Sequence, residues 1–164
     1  MIRLKKVTYD NLWEIVELSV KPNQEYFIAS NTDSLFEAYL ALSEGHSALP
    51  FGLYKNERLI GFVMFGYDST GDEGEPLIAE GNYCMWRFMI DQSFQGKGYG
   101  KEALKACLQY LKRTPMEKAE YCWLSYNPDN TIAKSLYESV GFEANGETLD
   151  GEVVLVLSLT NKAL

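Results

Sequence analysis

Apolar residues recur along the chain with two spacings, and the alternation between them outlines the fold. "MIRLKKV" reads as a first strand. "YDNLWEIVEL" sets Leu12, Ile15 and Val16 on one helical face, with Asp10 placed as its N-cap. A second helical region runs over residues 24–43, through "SLFEAYLALSE", and Gly45 stops it. "FGLYKNERLIGFVMFGY" gives two strands joined at Asn56-Glu57, "DSTGDEGEPLIAEG" a loop, and "NYCMWRFMI" a further strand. "QGKGYG" then opens a helix in which Leu104, Cys107, Leu108 and Leu111 share a face. "KAEYCWLSY" is a strand. Asn130 caps a last helix with Ala133, Leu136, Tyr137 and Val140 inward, and Gly141 ends it. "FEANGETLDGEVVLVLSL" closes as a hairpin about Asp150-Gly151. The order is strand, two helices, three antiparallel strands, helix, strand, helix and hairpin. No repeat, low-complexity tract or linker interrupts it, so residues 1–164 read as one mixed α/β domain.

Composition narrows the classes. With 164 residues the chain can bury one core and is too short for two comfortable domains. No 18-residue apolar run and no charged-then-apolar leader occur, so the expectation is a cytoplasmic protein, neither exported nor membrane-bound. Cys84, Cys107 and Cys122 are odd in number and lack C-x-x-C spacing, which speaks against a disulfide frame or a metal site. A net charge of −8 repels nucleic acid and suits a small cationic partner. A homodimer is compatible with the sequence, which leaves the oligomeric state open.

The glycines of "QGKGYG" carry the chemistry. A strand, a glycine-rich turn and a helix N-terminus together present unpaired amides and a positive dipole end to an anion. A Walker A loop fails, because Lys101 is followed by Glu102. A dinucleotide fingerprint at Gly98-x-Gly100-x-x-Ala103 is separated from its strand by "DQSFQ". Glycines serving only a turn are a third reading; at 98 and 100 they cost helix propensity and offer packing little. Gln95-x-x-Gly98-x-Gly100 resembles the Q/R-x-x-G-x-G/A pyrophosphate loop of the GCN5-related N-acetyltransferase (GNAT) superfamily. "NTIAKSLYESVGF" resembles the family's second block, with Asn130, Ala133, Leu136, Tyr137, Gly141 and Phe142 in place. The likeness is strong over residues 83–142 and extends through element order to the whole chain. "WRFMID", "QGKGYGK" and "SYNPDN" are most similar to bacterial spermine/spermidine acetyltransferases.

The resemblance implies a mostly antiparallel central sheet, flanked by helices and splayed between its fourth and fifth strands. It implies acetyl-CoA as cosubstrate, with amides of Gly96, Lys97, Gly98, Tyr99, Gly100 and Lys101, after Gln95, on the pyrophosphate. Phe88 and Ile90 would bond the pantetheine through their backbones, an amide near Met89 would face the thioester oxygen, and Asn130 would touch the CoA arm. Tyr137 matches the general acid. By periodicity alone it reads as a core aromatic, the family match makes it the acid, and a buried tyrosine wants a hydroxyl partner in either role.

The general base is unassigned, since the strand where relatives carry a Glu offers Cys84, Trp86 and Arg87. Glu80 acting through water, or deprotonation with no dedicated residue, are the alternatives. Cys84 reads as an acyl carrier or a small hydrophobe, and His46 as a loop residue. Asp68, Asp72, Glu73, Glu75 and Glu80 form an acidic run ahead of the central strand, and Gln24, Glu25, Tyr26 and Asn31 lie where relatives build acceptor specificity. A run of one sign attracts a polycation. The expected activity is direct transfer, in a ternary complex, to a primary amine of spermidine or spermine. Another acceptor (an amino acid, an aminoglycoside or a protein N-terminus) and a non-catalytic acyl-CoA-binding module are the competing readings.

Overall fold

Four strands, the last three near-continuous apolar runs, pair antiparallel in the order in which the chain makes them: β1 (Ile2–Lys6), β2 (Leu49–Lys55), β3 (Arg58–Tyr67) and β4 (Tyr83–Ile90). The computed structural model describes residues 1–70 and 74–160. β5 (Tyr121–Tyr126) joins β4 in parallel, and β7 (Glu152–Ser158) lies between β5 and β6 (Glu143–Leu149). The described residues thus form one seven-stranded sheet in the order β1-β2-β3-β4-β5-β7-β6.

Both hairpin turns fall where the sequence puts them. Asn56 and Glu57 have φ of 48° and 63°, and Asp150 and Gly151 have 48° and 83°. Two left-handed residues in succession give a turn whose twist matches the strands it joins.

Helices cover both faces. α1 (Leu12–Glu17) and α2 (Asn31–Ser43) lie over one, where Ile15 and Ala38 pack with Phe62, Met64 and Met89. α3 (Tyr99–Leu111) lies over the other, where Leu104, Cys107, Leu108 and Leu111 are fully buried against Phe51, Val63, Phe65 and Met85. Among the described residues, no helix is long and apolar enough to cross a membrane.

Three local expectations change. Asp10 does not cap α1; Asn11 precedes the helix, and its side chain accepts from Thr8 N (2.8 Å) and donates to the Lys6 carbonyl (3.0 Å). The 24–43 region divides into a 3-10 helix (Pro22–Phe27) and α2. Ile28 is extended between them, and Ser30 Oγ accepts from Asp33 N (3.0 Å), so the new cap starts a new helix. α2 does end at Gly45: its N–H reaches Leu42 O and that of His46 reaches Ala41 O, the paired bonds of a left-handed C-terminal turn. α4 (Thr131–Glu138) has no fully buried residue. Ala133, Leu136 and Tyr137 are half-buried because this helix covers an opening in the sheet rather than its core.

That opening is set by β4. It pairs with β5 only at Tyr83–Cys122 and Cys84–Trp123. On its other edge the register with β3 shifts: Met64 pairs with Arg87 and Phe65 with Met85, so Trp86 is the extra residue of a bulge. β3 approaches the far end of β4 so closely that a Cβ at Gly61 would overlap the Met89 carbonyl oxygen. Gly61→Ala is therefore expected to destabilise the fold by about 1–3 kcal/mol. The urea midpoint measures it, and an unchanged midpoint would mean that β3 and β4 separate freely.

Candidate active site

Beyond Cys84 and Trp123 the two central strands diverge, and a cleft of about 1340 Å³ passes between them. Asp91 N donates to Ile60 O on β3 (2.9 Å), so by strand alternation Phe88 and Ile90 turn their backbone groups toward the opening. Met89, between them, turns its carbonyl to Gly61 of β3. An amide facing the cleft therefore belongs to Phe88 rather than to Met89. The Ile90 carbonyl is already occupied, accepting from Gln95 Nε2 at 2.9 Å.

The glycine loop closes one arm of this cleft. Gly96 and Gly98 have φ of 76° and 78°, and Gly98 is the residue before α3. The first amides of α3 lack intrahelical acceptors, as at any helix start. Gly96, Gly98, Gly100 and Lys101 line the cleft; the Lys97 and Tyr99 side chains do not. Lys97 folds back to donate to Ser93 O (3.0 Å) over the Phe94 ring, and Tyr99 packs on the core. Gly100 does have a packing role, contrary to expectation. Its Cβ position is 3.2 Å from Leu136 Cδ2, so a bare backbone lets α3 approach α4. The Gln95 side chain faces inward as a brace, bonded to Gln24 Oε1 (2.9 Å) as well as to Ile90.

α4 supplies the facing wall. Asn130 lines the cleft while its Oδ1 accepts from Ala133 N (3.2 Å) as the helix cap. Tyr137 also lines it, with its ring edge-on to Phe142 at 5.9 Å. Burial pushes the Tyr137 phenol up from its ordinary value, and the negative charge of Glu152 adds to the shift. It therefore holds its proton across the neutral range and is poised as a donor.

The other arm opens beneath the 3-10 helix and α2. Glu25, Glu37, Glu44, Asp68, Glu75 and Glu152 line the cleft as a whole, against Lys21, Arg87 and Lys101. Arg87 is paired with Glu37 at 2.6 Å, and the lining as a whole carries more acidic than basic side chains. Glu80 does not line the cleft: it ends the 3-10 turn Leu77–Ala79 and points to solvent. Asp72 and Glu73 lie outside the described residues. Asn31 is buried and donates to Ile15 O (2.8 Å), a structural contact between α2 and α1. His46 lines the cleft from the turn after α2. Burial holds the Cys84 thiol well above its usual value, which leaves no thiolate for an acyl carrier.

Glu37, Glu44 and Glu152 were not singled out by sequence. Glu37 and Glu44 stand seven apart around Leu40 and Ala41, one face of a helix whose apolar pattern dominates the reading. Glu152 is the polar start of an otherwise apolar strand, and that is the one signal it gives.

A sheet splayed at its central parallel pair, a glycine loop at a helix start and a tyrosine across the gap define an acyl-CoA-dependent acetyltransferase. The sequence profile described as the Acetyltransferase (GNAT) family matches residues 7–142, and the chain belongs to that family. Its activity is N-acetyl transfer from acetyl-CoA. Among curated relatives, the spermine/spermidine N(1)-acetyltransferase of Bacillus subtilis (strain 168) is 38% identical over 159 residues, 96% of this chain and 99% of that one. Among solved structures, aminoglycoside acetyltransferase AAC(6')-Ib in complex with coenzyme A superposes with a TM-score of 0.77 at 19% identity, over 96% and 95% of the two chains. Spermidine N-acetyltransferase from Vibrio cholerae in complex with CoA and spermine gives 0.66 at 19% identity, also over 96% and 95%. At such identities the two structures establish the fold alone.

The three cysteines are buried and free. In the native protein they are expected to react with an aromatic disulfide at a small fraction of the rate seen in denaturant. A fast-reacting native thiol that Cys84→Ala removes would restore the acyl-carrier role.

Proposed function

We propose that the protein acetylates a primary amine of a polyamine of the spermidine or spermine type, by direct transfer from acetyl-CoA in a ternary complex. The observation that carries this reading is the lining of the cleft, where six carboxylates stand against three cationic side chains. A polycation exposes little apolar surface, so its recognition rests on several charges at once. The curated relative that covers almost the whole chain carries spermine/spermidine acetyltransferase as its name, which supports the same acceptor class.

In this reading the amides from Gly96 to Lys101 hold the pyrophosphate, and the backbones of Phe88 and Ile90 run beside the pantetheine. The Phe88 amide, on the cleft side of β4, stabilises the oxyanion formed at the thioester carbonyl. Asn130 contacts the CoA arm from α4, and Tyr137 protonates the departing thiolate. Glu25 and Glu75 bind the amine groups that do not react. Arg87 is held by Glu37, so that pair is neutral, and carboxylates outnumber cationic side chains on the lining.

The test is CoA thiol release with a panel of polyamines, amino acids, aminoglycosides and N-terminal peptides. Spermine or spermidine is expected to give the highest kcat/KM, and that value should fall as salt rises. The Debye length drops from about 8 Å at 0.15 M to about 3 Å at 1 M, so a monoamine acceptor should lose less. Turnover of an uncharged or zwitterionic amine without any polyamine turnover overturns the acceptor and leaves the acetyltransferase standing.

Tyr137→Phe removes one hydroxyl from a half-buried ring. It should keep the fold and acetyl-CoA affinity while lowering kcat by about 10²–10⁴. Wild-type turnover under conditions where chemistry limits the rate would make Tyr137 a packing residue only.

A further inference from the structure

Tyr137 can protonate the leaving thiolate, but β4 offers no carboxylate to take the acceptor's proton. A primary amine of pKa about 10 is almost wholly protonated at neutral pH, and it cannot attack in that form. The position on the cleft wall that can receive this proton lies on β7. Glu152 opens that strand directly after the Asp150-Gly151 turn. Ser125 of β5 pairs with Val154, so Glu152, Val154 and Val156 share a sheet face with Trp123 and Ser125. Ser125 Oγ donates to Glu152 Oε2 at 2.5 Å, which fixes the carboxylate and leaves its other oxygen directed by the same contact. Glu152, Ser125, Trp123 and Tyr137 all line the cleft.

The two sides of the sheet matter here. Tyr137 approaches the opening from α4, on the face that α3 covers, while Glu152 stands on the wall shared with Cys84 and Trp123. The gap between β4 and β5 joins the two. Glu152's charge reaches the Tyr137 phenol strongly enough to contribute to its upward shift, after burial. Of the other carboxylates that line the cleft, Glu37 is tied to Arg87, Asp68 accepts from Gly81 N, Glu25 and Glu44 are supplied by the 3-10 helix and the end of α2, and Glu75 by the connection before β4. Among the described residues on that lining, Glu152 stands on β7, the strand next to β5, and is bonded to the side chain of Ser125 on β5 itself.

We propose that Glu152, oriented by Ser125, is the proton acceptor for the attacking amine. This rests on the acetyltransferase reading and does not depend on which amine is the acceptor. An ammonium substrate first passes one proton to the Glu152 carboxylate and on to water. The freed nitrogen lone pair forms the C–N bond at the acetyl carbon. As the C–S bond breaks, the sulfur takes the proton of the Tyr137 hydroxyl, and the second proton on nitrogen moves to Glu152. Glu152 then returns that proton to the tyrosinate. One acetyl group is transferred, one CoA thiol forms and one proton is released.

Glu152→Gln keeps the side-chain length and an oxygen for Ser125 but cannot carry the proton. Its kcat/KM for the acceptor that the wild type uses best should fall about 10²–10⁴-fold at neutral pH. It should recover roughly tenfold per pH unit as the free amine accumulates. The groups facing the same region are Glu75, Cys84, Arg87, Tyr126 and Tyr137, and none is altered by the substitution. A weakly basic amine, already unprotonated at neutral pH, should lose far less. Acetyl-CoA affinity, measured by calorimetry, should not change. Equal losses for strongly and weakly basic amines would make Glu152 a positioning residue and overturn the proposal, as would wild-type kcat/KM in the variant. Where Glu152→Gln misfolds, Ser125→Ala carries the test: a lower kcat with KM nearly unchanged supports the oriented carboxylate, and an unchanged kcat overturns it. A wild-type protein that releases no thiol with any amine overturns the acetyltransferase reading, and this proposal with it.

Discussion

Everything that gives this molecule chemistry depends on two central strands that pair for two residues and then part. A parallel pair normally continues, because each unpaired backbone group in a buried position costs a hydrogen bond. Here several constraints keep the strands from closing. The bulge at Trp86 turns β4 away from its partner, and Gly61 lets β3 follow that strand without a clash. α4 sits over the gap with Ala133, Leu136 and Tyr137 half-buried, so the opening has a roof instead of a core. The unpaired edge of β4 at Phe88 thereby becomes a place where an extended ligand can act as the missing strand.

The approach of α3 to α4 is the second half of the same device. Gly100 brings the helix start against Leu136, and the left-handed turns at Gly96 and Gly98 deliver the chain to that point from the end of β4. Glycine at 98 answers to backbone conformation, since nothing would touch a side chain there. Glycine at 100 answers to packing. One loop carries two different demands, and both end in exposed amides beside the splay.

The fold was legible in the sequence because its signals are local. Period-two runs, two left-handed hairpin turns and the buried stripe of α3 each specify an element without reference to the rest. The glycine loop and the Asn130–Phe142 block were legible as well, since each is a continuous stretch. What escaped depends on distant chain segments meeting. Glu152 meets Ser125 across 27 residues of sequence, and Arg87 meets Glu37 across 50. The acidic run misled for the same reason: Asp68 and Glu75 reach the cleft, but Glu80 is turned out by the 3-10 segment before it. The Glu147 carboxylate accepts from Leu77 N and Ile78 N and anchors that segment, a contact no composition reveals.

The two arms of the cleft are also joined mechanically. Gln95 ends the connection from β4 to the glycine loop, and its single side-chain amide nitrogen donates both to Ile90 of β4 and to Gln24. Gln24 belongs to the 3-10 helix that carries Glu25 and Tyr26 over the acceptor arm, and its side chain accepts from Lys21 N as well. Asp91 adds a second tie from the end of β4, accepting from Ser19 N at 3.0 Å and from Ser93 N at 2.9 Å. The segment over the acceptor arm has few apolar contacts of its own and no fully buried residue. Its position is therefore set by polar bonds that start beside the glycine loop, so the wall that the 3-10 helix gives the cleft is held by the residues that frame that loop.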